Sequence, residues 1–367
     1  MIDAAARFPH SYGEARDRFV AAARARGCEV STRMHPSARG PDGGALSIDV
    51  AAEGDAGAPT VLIVSSGTHG VEGYGGSGIQ AAWLGDDAAR REVDSARVRI
   101  VLLHALNPWG FAHDARGDED NVDLNRNFRD FARPQSANAG YAKLHPLLLP
   151  QHWPPTWVDD ARLGWAIVRN GRRAVQEAVS RGQGEFADGL FYAGRAPSWS
   201  NRMLRALIGE HVAGRAAVGW VDLHTGLGRD GRCEVIFNGR NDARTLARAR
   251  QWWGERVTSM NDGSSVSTDV SGANFAALDA AGIERSAGVT LEVGTRPRRA
   301  VLDALRARQW LRHQADTAPS LRDDILRQSR DAFYVDTDAW KNAAYGSARA
   351  ILLQGAGALA REAGATR

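Results

Sequence analysis

The sequence predicts an α/β fold: a mixed, mostly parallel twisted sheet of about eight strands with helices on both faces. Short aliphatic runs such as 61–65 and 98–104 alternate with longer segments of helical pattern. Near-continuous aliphatic runs are typical of strands that are covered on both faces. Strands that alternate with helices favour a mostly parallel sheet.

The predicted elements follow this alternation along the chain. Strands are expected at 61–65, 98–104, 190–192, 218–222, 234–237 and 289–293. Helices are expected at 14–26, 77–92, 158–181, 198–211, 243–260 and 298–315, with an Ala-rich helical tail at about 338–363.

The domain organisation depends on a Pro- and Trp-rich segment at 149–157, which can be a domain linker or part of a pocket wall. We interpret 1–367 as one domain, because candidate site residues fall on both sides of that segment. The motifs described below lie in a core at about 60–295.

Composition indicates a soluble globular protein with 43% hydrophobic and 24% charged residues. The net charge is only +3, so we expect a solvated surface and no nucleic-acid partner. The chain has no signal-peptide pattern and no apolar run long enough to span a membrane, which predicts a cytoplasmic protein without membrane contact. Cys28 and Cys233 can form one disulfide, but two free thiols are favoured. The oligomeric state is not determined by these features.

A histidine and a glutamate lie three residues apart directly after the strand predicted at 61–65. In open α/β sheets, ligands bind outside the carboxyl ends of the strands. Imidazole and carboxylate groups are good zinc ligands, and catalytic zinc usually takes three protein ligands. His69 and Glu72 are therefore candidate metal ligands, although a His-x-x-Glu pair alone is a weak signal.

A second strand, predicted at 218–222, ends in a polar turn that carries His224. A single histidine in such a turn is more often structural. Here it follows a second strand and supplies the ligand that the first pair lacks, so we interpret His224 as the third metal ligand. Asp222, two residues earlier, is a candidate to hydrogen-bond a ligand.

Glu292 interrupts an apolar run in the strand predicted at 289–293. An unpaired buried carboxylate is costly, so this side chain needs a partner or a function. One interpretation is an ion pair with Arg296, Arg298 or Arg299. The other is a general base that accepts a proton from metal-activated water.

The long polar segment 107–134 supplies further candidates, because ordered loops of this length are often functional. Asn125 and Arg126 offer amide and guanidinium donors suited to a substrate carboxylate. Arg116 is a positive charge that can stabilise an oxyanion. The alternative is a surface loop held together by its own Asp–Arg pairs.

Four segments in order, 67–72, 123–128, 222–226 and 290–293, resemble the zinc carboxypeptidase superfamily of carboxypeptidase A-like peptidases and N-acyl amino acid deacylases. Segment 188–202 is similar to a bacterial branch of uncharacterised function. The resemblance implies one zinc ion per chain held by two histidines and a glutamate, with the last glutamate as general base. It also implies that the Asn-Arg pair binds the substrate's terminal carboxylate. The corresponding residues here are His69, Glu72, His224, Glu292, Asn125 and Arg126.

The sequence departs from the digestive carboxypeptidases at two places. They carry Arg between the first two ligands, where this chain has Gly70 and Val71. They also carry a mobile tyrosine before the catalytic glutamate, and no tyrosine lies between His224 and Glu292. Tyr74 and Tyr192 are candidates to replace this mobile tyrosine. Of the two, Tyr192 is the candidate substrate-binding residue.

The expected function is therefore a zinc-dependent hydrolase that cleaves an amide or peptide bond next to a carboxylate-bearing group. A small peptide or an N-acyl amino acid is the expected substrate. The alternative is a non-catalytic metal- or ligand-binding protein that keeps the fold, and a metal-free scaffold is a third possibility.

Overall fold

A seven-stranded sheet is the centre of the computed structural model, which describes residues 3–240, 242–260, 263–265, 267 and 270–365. The strands within this described part are β1 (Glu29–Arg39), β2 (Ala45–Glu53), β3 (Thr60–Ser66), β4 (Val98–His104), β5 (Ala217–Thr225), β6 (Cys233–Asn238) and β7 (Ser286–Val293). Their order across the sheet is β1-β2-β4-β3-β5-β7-β6. The four central strands run parallel, and the outer strands pair antiparallel.

This architecture confirms the predicted α/β fold, with seven strands in the described residues where about eight were expected. The sequence did not predict β1 and β2. Strand β1 has one fully buried residue, so it lacks an aliphatic run. Strand β2 buries Asp49, whose carboxylate accepts a 2.8 Å hydrogen bond from Arg16 Nε. The segment 190–192 forms only an isolated bridge, between Tyr192 and Gln183.

Thirteen α-helices occur among the described residues. They are α1 (Tyr12–Ala25), α2 (Gly73–Leu84), α3 (Asp87–Glu92), α4 (Pro108–Ala112), α5 (Ala139–Leu148), α6 (Trp157–Asn170), α7 (Arg172–Ser180), α8 (Trp199–Val212), α9 (Ala243–Trp253), α10 (Ala276–Ala280), α11 (Arg298–Arg312), α12 (Pro319–Phe333) and α13 (Asp338–Ala365). Three predicted helices are shorter or divided. The helix expected at 77–92 divides into α2 and α3 around Asp86, and that expected at 158–181 divides at Gly171, where φ is +83°. The helix expected at 243–260 ends before Gly254, where φ is +93°.

Helices cover both faces of the sheet, as the side-chain alternation in β3 shows. Leu62 and Val64 belong to a core cluster that includes residues of α1, α2, α9 and α13. Val61 and Ile63 belong to a second cluster on the opposite face, which includes residues of α8 and α10. Since successive strand residues point to opposite faces, an unbroken aliphatic run is what a sheet buried on both faces requires.

The predicted C-terminal helix is present as α13 and packs against α2. Ala344, Ala348 and Ala356 are buried in it, and their small side chains allow close approach of the helices. Trp340 Nε1 donates a 2.8 Å hydrogen bond to the carbonyl of Gly294, just beyond β7. Among the described residues, no helix is both long and apolar enough to cross a membrane.

Asp86 connects the start of α3 to α13. It accepts hydrogen bonds from Ala89 N at 2.9 Å, Tyr345 Oη at 2.7 Å and Arg349 Nε at 2.8 Å. Burial acts to raise the pKa of Asp86, but these hydrogen bonds lower it to about 2. A carboxylate with a lowered pKa stabilises the fold above its unfolded pKa, and this contribution is lost as the pH falls through the folded value.

We predict that Asp86→Ala lowers the free energy of unfolding by about 3 kcal/mol, because it removes a helix cap, a buried hydrogen bond from Tyr345 and a partly buried one from Arg349. The control is Asp87→Ala, because the side chain of Asp87 is 82% exposed, and it should cost less than about 0.5 kcal/mol. Urea unfolding measures both. The Asp86 effect should shrink as the pH falls from about 5 through the folded pKa of about 2. Equal losses in the two variants would contradict the assignment.

Candidate metal centre and active site

Parallel strand pairing brings the predicted ligands to one edge of the sheet. Strands β3 and β5 are neighbours, with Ser65 opposite Asp222. His69 follows the end of β3, and Glu72 lies in a short 3-10 turn (Gly70–Glu72) that leads into α2. His224 lies near the end of β5. The carboxyl ends of both strands therefore place these three side chains together.

Gly70 permits the tight turn between the first two ligands. A Cβ at this position would lie 2.0 Å from the carbonyl carbon of Gly110 in α4, so a larger residue would force the two segments apart. The backbone N–H of Gly70 donates to the carbonyl of Arg116 at 3.2 Å, and that of Val71 donates to the carbonyl of Ala115 at 2.9 Å. The ligand turn is thus held against the segment that carries Arg116.

The donor atoms of the three ligands converge on one point. His69 Nδ1 lies 2.8 Å from Glu72 Oε1, and His224 Nδ1 lies 3.0 Å from Glu72 Oε2. Ligand atoms from all three residues lie within 4.8 Å of one another, and all three side chains are buried. Two imidazole nitrogens and a carboxylate are a donor set that zinc binds in hydrolases, leaving one position open.

The opposite nitrogen of each imidazole faces a buried carboxylate. His224 Nε2 lies 2.7 Å from Asp222 Oδ2. His69 Nε2 lies 3.4 Å from Asp123 Oδ1 and also 2.7 Å from Arg116 Nη2. Carboxylates in such positions fix the orientation of a ligand histidine and increase its basicity. Burial acts to raise the pKa of Glu72, but His69 and His224 hold it below its ordinary value. The carboxylate is therefore ionised, as a metal ligand must be.

Glu292 lies beside the ligands on β7, directly opposite His224 of β5 in the strand register. The backbone N–H of Leu227 donates to Glu292 Oε1 at 2.8 Å. Burial raises the pKa of Glu292 to about 8, and repulsion from Glu72 adds to this effect. A cation at the ligand cluster would favour the ionised carboxylate and act in the opposite direction.

The predicted ion pair between Glu292 and a nearby arginine is not formed by the described atoms. Arg296 Nε donates to the carbonyl of Asp331, and Arg298 donates to Gln176 Oε1 at 3.2 Å. Arg299 lies 3.4 Å from Asp303. Glu292 instead lines the cavity that contains the ligand cluster.

Arg116, Asn125 and Arg126 line the same cavity as the ligands, and this cavity has a volume of about 720 Å³. Arg116 Nε donates to Asp123 Oδ2 at 2.8 Å, and its Nη1 lies 3.6 Å from Glu72 Oε1. The loop is thus held by an Asp–Arg pair, as one interpretation of the sequence required, and that pair also adjoins the ligand cluster.

Arg126 and Asn125 are fixed by backbone contacts. Arg126 is 3% exposed, and its Nε donates to the carbonyl of Ser180 at 2.8 Å. Its Nη1 donates to the carbonyl of Asn125 at 2.9 Å. Asn125 Oδ1 accepts from the backbone N–H of Asn274 at 2.9 Å, which orients the amide NH₂ group. Burial lowers the pKa of Arg126 to about 10, so it stays charged at neutral pH.

The two candidate tyrosines lie outside the cavity lining in the described part of the chain. Tyr74 is buried and donates a 2.8 Å hydrogen bond to Asp114 Oδ1. Tyr192 is 5% exposed, and its carbonyl accepts from the N–H of Asp123. Its neighbour Phe191 lines the cavity instead, with a φ of +54°.

Sequence reasoning did not single out Phe191 or Asp123. The Phe191 ring lies 4.7 Å from the guanidinium carbon of Arg116 and 5.4 Å from that of Arg126. Nothing in the sequence indicates the positive φ that turns Phe191 toward the cavity. The role of Asp123 could have been predicted from the sequence. An aspartate often accepts a hydrogen bond from the backbone N–H two residues later, and Asp123 Oδ1 accepts from Asn125 N in this way.

The overall structure resembles solved carboxypeptidase-type structures. Bovine thrombin-activatable fibrinolysis inhibitor, in complex with tick carboxypeptidase inhibitor, matches with a TM-score of 0.51 and 10% identity over 96% of this chain and 97% of that chain. Another structure of thrombin-activatable fibrinolysis inhibitor has a TM-score of 0.50 and 11% identity over 96% and 74% of the two chains. Carboxypeptidase A from Helicoverpa armigera has 14% identity over 94% and 74%, with a TM-score of 0.45.

The fold is that of a carboxypeptidase-type structure, so the predicted resemblance is confirmed for the fold, and the described residues include a candidate metal centre. The chain belongs to the family described as "Protein of unknown function (DUF2817)", which matches residues 8–346. A search of curated proteins gave no match.

We predict that the purified protein binds one zinc ion per chain. His69→Ala and His224→Ala should each lose it, because two remaining donors cannot hold a catalytic zinc tightly. Asp222→Asn should weaken zinc binding roughly 10- to 100-fold through loss of support for His224. Elemental analysis and titration with a zinc chelator measure these effects. His145→Ala is a control, since His145 lies outside the ligand cluster. Full zinc retention in both histidine variants would refute the site.

Proposed function

We propose that this protein is a zinc-dependent hydrolase that cleaves an amide or peptide bond next to a carboxylate-bearing group. The position of Glu292 supports this proposal most strongly. It is a buried carboxylate, held by Leu227 N, in the same cavity as the three-ligand cluster. Burying a carboxylate without an ion-pair partner is unfavourable, and a role as general base would explain why a carboxylate is present at this position.

Each residue of the cavity has a separate role in the proposed reaction. Zinc held by His69, Glu72 and His224 would supply Lewis-acid activation of water and of the scissile carbonyl. Glu292 accepts the proton of the attacking water and then delivers it to the leaving nitrogen. Arg116 donates hydrogen bonds to the oxygen of the scissile carbonyl as its negative charge develops.

Asn125 and Arg126 bind the carboxylate of the substrate. The fixed position of the Asn125 amide and the charge of Arg126 suit an anion, because a charged hydrogen bond is stronger than a neutral one. Tyr192 supports this pair indirectly through the hydrogen bond from Asp123 N to its carbonyl. A small peptide or an N-acyl amino acid carries the required carboxylate next to the scissile bond.

A non-catalytic ligand-binding protein is the alternative function. Such a protein would use the ligand cluster and the Asn125–Arg126 pair, but it would have no use for Glu292. Hydrolysis of a panel of peptides and N-acyl amino acids distinguishes the two. The expectations of a cytoplasmic location and of no nucleic-acid partner stay predictions, as does the interpretation of the whole chain as one domain.

We predict that Glu292→Gln lowers kcat by at least about two orders of magnitude, the scale of general acid–base catalysis, while it retains zinc. Glutamine keeps the shape of the side chain and removes its capacity to accept a proton. The matched control is Glu210→Gln, because Glu210 is an exposed residue of α8 that pairs with Arg33. A Glu292→Gln variant with wild-type turnover, or one without zinc, would place the base elsewhere.

Arg126→Ala and Arg116→Ala should differ in their kinetic effects. Loss of carboxylate binding in Arg126→Ala should raise KM at least about tenfold, because a buried charged contact is removed. Loss of oxyanion stabilisation in Arg116→Ala should mainly lower kcat, by roughly 100-fold. Steady-state kinetics on the best substrate of the panel measures both. Unchanged KM in Arg126→Ala would give the Asn125–Arg126 pair another role.

A further inference from the structure

One side of the cavity is formed by aliphatic side chains of three helices. We name it the aliphatic wall and define it by six residues: Leu163 and Ile167 of α6, Val175 and Val179 of α7, and Val301 and Leu305 of α11. These residues line the same cavity as the ligand cluster, and they belong to or pack against one hydrophobic cluster above the sheet.

Helical spacing explains why these residues share a wall. In each of the three helices the two wall residues are four positions apart, which places them on the same face of the helix. The chain changes direction at Gly171, between α6 and α7, so that the aliphatic face of each helix lines the same cavity. The three helices thus bring six aliphatic side chains to the cavity, which is also lined by polar residues of the same helices, among them Gln176 and Ser180.

The wall extends from the interior to the protein surface. Leu163, Val175 and Leu305 are buried, and Ile167 is half-buried. Val168, the next residue of α6, also lines the cavity and is 82% exposed, so the cavity opens beside it.

Arg298 and Arg299, which also line the cavity, have polar partners on neighbouring helices and on α11. Arg299 lies 3.8 Å from Asp160 of α6 and 3.4 Å from Asp303, and Arg298 donates to Gln176. They form a polar rim around the apolar surface.

The chemistry of the wall distinguishes a peptide from an acyl group. Each residue of a peptide brings a backbone N–H and a C=O, and burying these groups without partners is costly. The aliphatic side chains of Leu163, Ile167, Val175 and Val179 offer no such partners. An unbranched aliphatic chain needs none, and its burial is favourable in proportion to its apolar area.

We propose that the aliphatic wall binds the acyl group of the substrate, and that the substrate is an N-acyl amino acid with a medium or long unbranched chain. This inference rests on the proposed function for the orientation of the substrate, with its carboxylate at Asn125 and Arg126. The acyl chain then runs from the scissile bond along Val179, Val175 and Ile167 to the opening at Val168.

Binding of N-acylglycines to the Glu292→Gln variant tests the proposal without turnover. Isothermal titration calorimetry with acetyl-, butyryl-, hexanoyl-, octanoyl- and decanoylglycine should show a Kd that falls about fourfold per added methylene until the cavity is filled. The hydrophilic tripeptide Ser-Ser-Gly should bind no more tightly than acetylglycine. A Kd that does not change with chain length, or tighter binding of the tripeptide than of octanoylglycine, overturns the inference.

A pair of variants locates the binding surface. Ile167→Asp places a charge in the wall and should raise the Kd of octanoylglycine at least tenfold, with little effect on acetylglycine. Val158→Asp is the matched control, because Val158 is also a half-buried residue of α6 but lies outside this cavity. Leu302→Gln, on α11, is a second test with a neutral side chain and should act in the same direction. Unchanged octanoylglycine binding in both Ile167→Asp and Leu302→Gln overturns the inference.

Turnover by the wild-type protein separates the two proposals. Chain-length-dependent binding without hydrolysis of any N-acylglycine or peptide would contradict the proposed hydrolase function and leave the aliphatic wall as an acyl-binding surface. Hydrolysis with no dependence of Kd on chain length would support the hydrolase and refute the role of the wall.

Discussion

The buried carboxylate of Asp222 joins the segments from which the candidate site is built. Its oxygens accept hydrogen bonds from Ser65 Oγ at 2.6 Å, Thr68 Oγ1 at 3.0 Å and Asn274 Nδ2 at 2.7 Å, and Oδ2 lies 2.7 Å from His224 Nε2. One side chain thus links β3, the turn before His69, β5 and the segment around Asn274. Burial acts to raise its pKa, but these contacts and the charge of His224 lower it, so it stays ionised. Removal of this carboxylate would leave several buried donors without an acceptor.

The sequence predicts which side chains meet at one edge of the sheet, because these residues lie at or near strand ends. An aliphatic strand is recognisable from consecutive residues, and the side chains that follow it lie at a known edge of a parallel sheet. His69, Glu72, His224 and Glu292 all occur at or near such ends, and β7 places Glu292 opposite His224. The predicted α/β class depends on the same local signal. Each of these predictions needed only residues that are close in sequence, together with one rule of sheet geometry.

Features that depend on contacts between distant segments were not predictable in the same way. Strand β1 has one fully buried residue, because it is an edge strand. The breaks at Asp86 and Gly171 divide segments that the sequence predicts as single helices. The aliphatic wall combines helices from 157–180 and 298–312, and no single segment indicates that their faces meet. Phe191 reaches the cavity through a backbone conformation that is rare for a non-glycine residue.

The charge balance of the buried residues favours a cation at the ligand cluster. Four carboxylates are buried together, those of Glu72, Asp123, Asp222 and Glu292. The guanidinium groups of Arg116 and Arg126 adjoin them, so two negative charges are left without a fixed positive partner when all four are ionised. Protonated histidines can balance this excess, but a protonated imidazole cannot be a metal ligand. A divalent cation provides the same two charges and allows both histidines to be neutral. The donor set and the surrounding charges therefore favour the same occupant.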